Sequence, residues 1–312
     1  MFYNVENLFD TKDNPLKEDN AFLPWGTMRW TEPRYWKKLN DISRVITSVG
    51  EGKLPILIGL AEIENPKVLD DLLSETSLSG YEYYITNSPD HRGINVALLY
   101  RPDSFEVIDT AAYTASALSK LSTRDILHAV GKINNDTLDV FVCHFPSRNA
   151  GVEETMPHRI ACASLLKTKV DSIASLRKHP NVLIMGDFND YPDDKSLFNT
   201  LGAIGVENEP SDHQLYNLFY NNRHEQRYAS YKYKGKWDVL DQIIVNGTLL
   251  KQTNNLHLNS SAKIYCDSLM LERDWNYGGE KPRRTYFGIK YNAGVSDHLP
   301  VYIDLNTTPA RE

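Results

Sequence analysis

Residues 182–190 read Val-Leu-Ile-Met-Gly-Asp-Phe-Asn-Asp. The unbroken apolar run predicts a buried strand over Val182–Met185. Gly186 lets the backbone turn sharply, and Asp187 and Asn189, two residues apart, can then face one site. Aspartate and asparagine are also ordinary strand-end turn residues, so Asp187 taken alone reads more readily as a plain turn. Recurrence of the pattern elsewhere decides between the two.

The pattern does recur. Polar residues stand at the ends of apolar strands in Asn4-Val5-Glu6-Asn7, in Leu60-Ala61-Glu62, in His144-Phe145-Pro146-Ser147-Arg148 and in Ser296-Asp297-His298-Leu299-Pro300. Asp238-Val239-Leu240-Asp241 sits where its strand begins. Side chains at one edge of a sheet can converge on a single cleft. Each residue also has a bland reading: His298 as a structural histidine on a backbone carbonyl, Glu62 as the partner of a helix Arg or Lys. A carboxylate after a wholly apolar strand nevertheless needs some partner, and a metal is one.

Further strands are predicted at Phe2–Val5, Ile56–Ala61, Tyr81–Thr86, Val96–Tyr100, Phe105–Ile108, Ile126–Ile133, Leu138–His144, Tyr228–Tyr233, Leu240–Val245 and Leu299–Leu305. Helices are few. Leu39, Ile42, Ile46 and Val49 place one apolar stripe on a helix from about Glu32 to Val49, and Asn65-Pro66 caps and opens a second. A third runs from Glu153 toward Leu176, with Ile160, Ala163, Leu166, Val170 and Ile173 inward. Several strands follow one another without a helix between, as at Lys234-Gly235, so most pairing should be antiparallel. The expectation is an α/β fold with two mixed, mostly antiparallel sheets packed face to face and helices outside. No repeat, low-complexity tract or linker interrupts the pattern, so 1–312 reads as one domain.

Composition narrows the function classes. The chain is 41% hydrophobic and 24% charged, an ordinary soluble composition, with 34 Lys+Arg against 41 Asp+Glu and a net charge of −7. Leu54–Ala61, the longest largely apolar run, is far short of the ~20 residues that span a bilayer. No basic start followed by an apolar stretch marks a signal peptide in this chain; removal of a leader would leave export open. Cys143, Cys162 and Cys266 are odd in number and widely spaced, which argues against disulfides and a zinc cage. The negative charge argues against a broad basic face that coats nucleic acid. It does not argue against a nuclease, because metal-holding carboxylates make an active site acidic. Oxygen donors from Asp, Glu and Asn, without cysteine or a closely spaced His pair, suit Mg²⁺ or Mn²⁺ and point to phosphate chemistry.

Taken in order, Asn4/Glu6, Glu62, His144, Asp187/Asn189, Asp241 and Asp297/His298 resemble the endonuclease/exonuclease/phosphatase superfamily over Tyr3 to Val301. Gly-Asp-Phe-Asn-Asp at 186–190 and Ser-Asp-His-Leu-Pro at 296–300 are specific in combination. The strings Tyr3–Asp10, Arg92–Tyr100 and His144–Arg148 resemble a bacterial branch of it. The resemblance implies a four-layer α/β sandwich and a divalent-metal-dependent phosphodiesterase. It implies Glu62 as the main metal carboxylate, with Glu6, Asn4 and Asp297 in support. Asp187 then orients and deprotonates the attacking water, Asn189 holds that site and the phosphate, the His298–Asp241 couple acts on the phosphate, and His144 assists the leaving oxygen. Three positions depart from the usual pattern: Ala61 for Gln, Gln242 where His is frequent after the Asp, and Asn95 for Asp. None removes a ligand.

In-line attack at phosphorus needs an oriented water, a cation and a donor to the departing oxygen, and the chain supplies a candidate for each. Arg148 and Arg92 are candidate phosphate contacts. Arg283-Arg284 reads as a solvated basic spot. The leading expectation is a nuclease, an endonuclease on DNA or RNA, acting as a monomer without an obligate protein partner. The same-fold rival is a phosphatase or phospholipase-C-like enzyme on inositol phosphates or sphingomyelin, favoured by the acidic surface. A rival of another class is a catalytically silent binding module. With Glu6, Glu62, Asp187, Asp241 and Asp297 set aside, 36 acids remain against 34 bases, so net charge weighs little against a nuclease.

Overall fold

The computed structural model describes residues 1–50, 52–115, 122–221 and 227–307. Its strands begin with β1 (Phe2–Leu8), β2 (Leu57–Ile63), β3 (Glu82–Ile85), β4 (Asn95–Tyr100), β5 (Glu106–Tyr113), β6 (Ile126–Ile133), β7 (Asp136–His144) and β8 (Val182–Asp187). They continue through β9 (Ala203–Ile204), β10 (Leu215–Asn217), β11 (Tyr231–Tyr233), β12 (Lys236–Asp238) and β13 (Asp241–Asn246). One sheet has six strands in the order Lys263–Ile264, Val301–Tyr302, β1, β2, β4, β3; the other has seven, β5-β6-β7-β8-β13-β10-β9. Only β1/β2, β7/β8 and β9/β10 pair in parallel within these sheets.

Period-two alternation sorts the side chains into three apolar layers. Val140 and Val142 of β7 and Leu183 and Met185 of β8 face Phe2, Ala61, Val96 and Leu98 of the other sheet. Their alternates Phe141, Cys143 and Ile184 pack with Cys162, Ala163, Leu166 and Val170 of helix α3 (Val152–Leu176). Tyr3, Val5, Ile58 and Leu60 pack with Leu39, Ile42, Val45 and Ile46 of α1 (Glu32–Ser48), and with Val68, Leu69 and Leu72 of α2 (Pro66–Ser74). The sheets approach closely at Gly59, where a Cβ would lie 3.0 Å from Met185 Sδ and 3.2 Å from Val142 Cγ1.

Most expected elements are present, with differences of physical origin. Asn65 caps α2 by accepting from Val68 N–H at 3.1 Å, with Pro66 in the first turn. Lys234 and Gly235, at φ of 46° and 85°, make the β11/β12 hairpin turn. The expected strand Leu299–Leu305 is two pieces: Val301–Tyr302 in the six-stranded sheet and Leu305–Thr307 paired with Leu256–Leu258. Only Tyr231–Tyr233 of Tyr228–Tyr233 is strand. β5 runs on to Tyr113 because an edge strand tolerates the polar residues that broke its apolar pattern. The segment Ser296–Pro300 precedes its strand instead of ending one, and His298 bridges to Tyr231.

Parallel pairing decides where the site lies. β1 and β2 end at one edge, so Asn4 lies beside Ala61 and the register then shifts before Glu62. β7 and β8 end together with His144 opposite Asp187, and antiparallel β13 brings its first residue, Asp241, opposite Asp187 from the other side.

Candidate active site

Asp187, buried, is the centre of the cluster. Its Oδ1 accepts from Asn189 N–H at 3.0 Å, and its Oδ2 accepts from Asn4 Nδ2 at 3.0 Å. Glu62, whose side chain is 14% exposed, accepts from Asn7 N–H through Oε2 at 2.7 Å, while its Oε1 lies 3.4 Å from Asn4 Nδ2. Each carboxylate therefore gives one oxygen to a backbone amide and turns the other toward a shared gap. Two imidazoles border that gap. His144 Nε2 is 3.6 Å from Asp187 Oδ2 and 3.9 Å from Glu62 Oε1, and His298 Nε2 is 3.9 Å from Asp187 Oδ2.

The His298–Asp241 couple closes the far side. Asp241 Oδ2 lies 2.6 Å from His298 Nδ1, and Asp241 itself is held by Ser230 Oγ at its backbone N–H. Ser296 Oγ donates to Asn4 O at 2.7 Å and accepts from His298 N–H at 3.0 Å, tying this loop to β1. The Tyr231 ring covers the imidazole at 4.8 Å. Asp187, Asp241 and His298 bring one potential ligand atom each within 4.8 Å of one another; Asp241 Oδ2 is committed to the imidazole, while its Oδ1 is buried without a hydrogen-bond partner among the described residues.

Electrostatics follows from burial and the crowding of acids. Burial first, then the Asp241 charge, pushes the Asp187 carboxyl up to about 7. Burial opposes charge on His298, yet Asp241 and the nearby Asp187 and Asp297 hold its pKa well above the ordinary histidine value. Burial and the positive charges of Arg124 and Arg92 drive His144 far below that value, so its ring is neutral. Two histidines on one gap thus carry different charges because their second neighbours differ.

Glu6 and Asp297 form a second group, which meets the first where Asp297 Oδ1 lies 4.0 Å from His298 Nε2. Thr285 N–H donates to Glu6 Oε2 at 2.6 Å, and Arg284 bridges Glu6 Oε1 at 3.4 Å and Asp297 Oδ2 at 2.8 Å. Buried Lys38 donates to Glu6 O and, at 2.7 Å, to Thr285 Oγ1. Burial and then the Asp297 charge raise Glu6 to about 7. Arg284, read from the sequence as a solvated spot, is an ion-paired part of the site. Its nearest sequence signal is its place 13 residues before Asp297.

The two arginines expected to touch phosphate are differently placed. Arg148 is bound within the protein, donating to Asn189 O, Asp190 (3.1 Å) and Asp194 (2.8 Å). Arg92 is 38% exposed and 3.6 Å from Asp90. Asn189 Nδ2 donates to Phe145 O at 3.1 Å, so its side chain joins the β8 turn to the β7 turn. The unusual Gln242 and Asn95 are structural: Gln242 Nε2 donates to Asp190 O at 2.7 Å, and Asn95 accepts from Ser88 N–H at 2.7 Å. No helix among the described residues is long and apolar enough to cross a membrane.

Comparison with known proteins agrees with the fold. A profile described as "Endonuclease/Exonuclease/phosphatase family" matches residues 1–307. No curated protein sequence matches the chain. Among solved structures, an endonuclease/exonuclease/phosphatase family protein from Bacteroides thetaiotaomicron superposes with a TM-score of 0.62 at 16% identity, covering 97% of this chain and 95% of that one. D. rerio TDP2 complexed with single strand DNA product gives 0.55 at 15% identity, covering 86% and 92%. The mannosyl-6-phosphatase of Bacteroides thetaiotaomicron gives 0.57 at 15%, covering 97% of each chain.

Proposed function

Since the chain belongs to the endonuclease/exonuclease/phosphatase family, and is thereby a metal-dependent phosphoric ester hydrolase, we propose that it is a nuclease cleaving DNA or RNA by in-line attack of water. The observation that carries the reading is the gap itself. Imidazole-to-carboxylate separations of 3.6 to 3.9 Å are too long for direct hydrogen bonds, so the four groups converge on a common point instead of on one another. That point suits a phosphoryl group. The fold of D. rerio TDP2, which this chain shares, holds a single strand DNA product in that protein.

The donors fit a hard divalent cation. Glu62 Oε1 and Asp187 Oδ2 face the gap as carboxylate oxygens, bridged by the Asn4 Nδ2 that donates to both, and Glu62 Oε1 would be the oxygen that holds the ion. Once Asp187 is ionised, Glu62, Asp187 and Asp241 against a charged His298 leave two negative charges for it to balance. Glu62 is the principal holder, and Asn4 positions it through Nδ2. When bound, Mg²⁺ or Mn²⁺ neutralises charge on the phosphoryl oxygens and steadies the leaving oxygen.

The protein's own groups divide the remaining work. Asp187, with a pKa near neutrality and Oδ1 pinned by the Asn189 amide, orients the water and takes its proton at Oδ2. His298, kept charged by Asp241, donates from Nε2 to a phosphoryl oxygen. Neutral His144 presents Nε2 to the departing oxygen. Arg92 reaches a flanking phosphate, and Arg148 holds the Asn189 turn. Supercoiled plasmid should be nicked in Mg²⁺ or Mn²⁺, not in chelator, and Asp187→Asn should abolish nicking. Turnover confined to sugar phosphates, inositol phosphates or sphingomyelin, with DNA and RNA intact, overturns the nuclease reading and leaves the phosphoesterase chemistry standing.

A further inference from the structure

We propose that Arg284 takes the place of a second cation: its guanidinium neutralises Glu6 and Asp297, so this pair of carboxylates holds no metal ion. The inference rests on the metal-dependent chemistry just described and not on which ester is cleaved.

Two observations carry it. The first is geometry. Arg284 lies between the two carboxylates, 2.8 Å from Asp297 Oδ2 and 3.4 Å from Glu6 Oε1, while the other Glu6 oxygen is held by Thr285 N–H at 2.6 Å. No Glu6 oxygen is left without a protein donor. A guanidinium presents its donors in a rigid fork, so it fills such a space as a fixed group and not as a loose counter-ion.

The second is charge. With Glu6 ionised, Glu6 and Asp297 carry two negative charges, and Arg284 and buried Lys38, which bonds Glu6 O and Thr285 Oγ1, carry two positive ones; protonation of Glu6 lowers the negative charge further. That side is neutral and offers a divalent ion nothing to balance. Glu62, Asp187, Asp241 and His298 together carry −2 once Asp187 is ionised, with no cationic side chain among the described residues bonded to Glu62 Oε1 or Asp187 Oδ2, and this is where an ion is drawn. The carboxylates are thus sorted by their cations: a mobile one at Glu62 and a covalently tethered one at Glu6 and Asp297. The role is one of positioning, since Arg284 sets where metal binds.

The test counts metal ions without reference to turnover. Metal-free full-length protein is titrated with Mn²⁺ by calorimetry, with equilibrium dialysis as a second count. Arg284→Met, which keeps the length and removes the charge, should bind one Mn²⁺ more per chain than wild type, and Arg284→Lys should bind as wild type does. Equal stoichiometry in wild type and Arg284→Met overturns the proposal, and so does a lower one, which would make Arg284 a support for the ion. If Arg284→Met does not fold, Asp297→Asn asks the converse question. Its stoichiometry should equal that of wild type, and loss of a bound ion there overturns the proposal. Failure of the nuclease reading shows separately, as absence of plasmid nicking with metal bound.

Discussion

Replacing Asp241 by Asn tests the charge arrangement of the site most directly, because one uncharged atom change acts on both titrating partners. Asp241 Oδ2 is 2.6 Å from His298 Nδ1 and both groups are buried. At that distance, and with an effective dielectric of about 20, their attraction is at most about 6 kcal/mol. The largest charge that holds the ring protonated against burial is therefore lost, and the pKa of His298 falls. If the charged ring contacts the phosphoryl oxygen, turnover at neutral pH should fall by about 10²- to 10⁴-fold. The same change removes the largest charge acting on Asp187, second only to burial in raising it to about 7, so that carboxyl ionises at lower pH.

Both limbs of the activity profile consequently move toward acid. The acid limb belongs to Asp187, which must be ionised, and the alkaline limb includes His298, which must be protonated. The assay is kcat/KM against pH on a labelled oligonucleotide at saturating Mn²⁺. Asp241→Asn should show a lower maximum displaced to more acidic pH. A loss of the same size at every pH would refute the charged-imidazole role. So would recovery on raising Mn²⁺, since that outcome assigns Asp241 and His298 to holding the ion.

Three further outcomes follow from separate parts of the structure. Gly59→Ala puts a methyl 3.0 to 3.2 Å from Met185, Phe2 and Val142 and should cost about 1–3 kcal/mol by denaturant unfolding, whereas Gly80→Ala, with open space around it, should cost far less. The raised pKa of Asp187 means that its stabilising proton, fully held below the unfolded value near 4, is lost as pH rises through about 7. Mg²⁺ should therefore raise Tm more at pH 8 than at pH 5.5, and an equal gain at both would place the ion away from Asp187. Arg148→Ala should lower kcat more than it raises KM, because Arg148 holds the Asn189 turn; a KM effect alone would return it to the substrate.

What could be read from the sequence was whatever is local. Asp187, Asn189, Glu62 and His144 sit at strand ends that apolar runs and turn residues mark by themselves, and they do meet. The pairing that makes them meet is not local. Nothing in residues 138–144 states that this strand runs parallel to 182–187, and without that register His144 and Asp187 have no reason to be neighbours. Arg284 was missed for the same reason: its partner Glu6 lies 278 residues away. Lys38 did leave a signal. It falls three residues after Tyr35 and four before Ile42, on the apolar stripe of α1, where a lysine is expected only with buried partners. Leu299–Leu305 misled because alternation persists through Val301 and Ile303 while the backbone leaves one sheet and joins another pairing.

The strand ends also explain why these side chains point where they do. Glu6, Asn7, Glu62 and Asn189 all have left-handed backbones, with φ between 50° and 66°, at a cost of about 1–2 kcal/mol for each non-glycine residue. Three of these residues return their amide to the site: Glu6 N–H to Asn4 Oδ1, Asn7 N–H to Glu62 Oε2, and Asn189 N–H to Asp187 Oδ1. Glycine would adopt the turns more cheaply, but at positions 6 and 189 it would delete side chains that bond Thr285, Arg284 and Phe145 O. The amides of Glu6, Asn7 and Asn189 each fix one acceptor oxygen of a site residue. The second oxygens, Glu62 Oε1 and Asp187 Oδ2, share the Asn4 Nδ2 donor and are the two nearest His144. The strain and these two acceptors therefore belong to one arrangement, in which the direction of the negative charge is set before any cation or phosphate arrives.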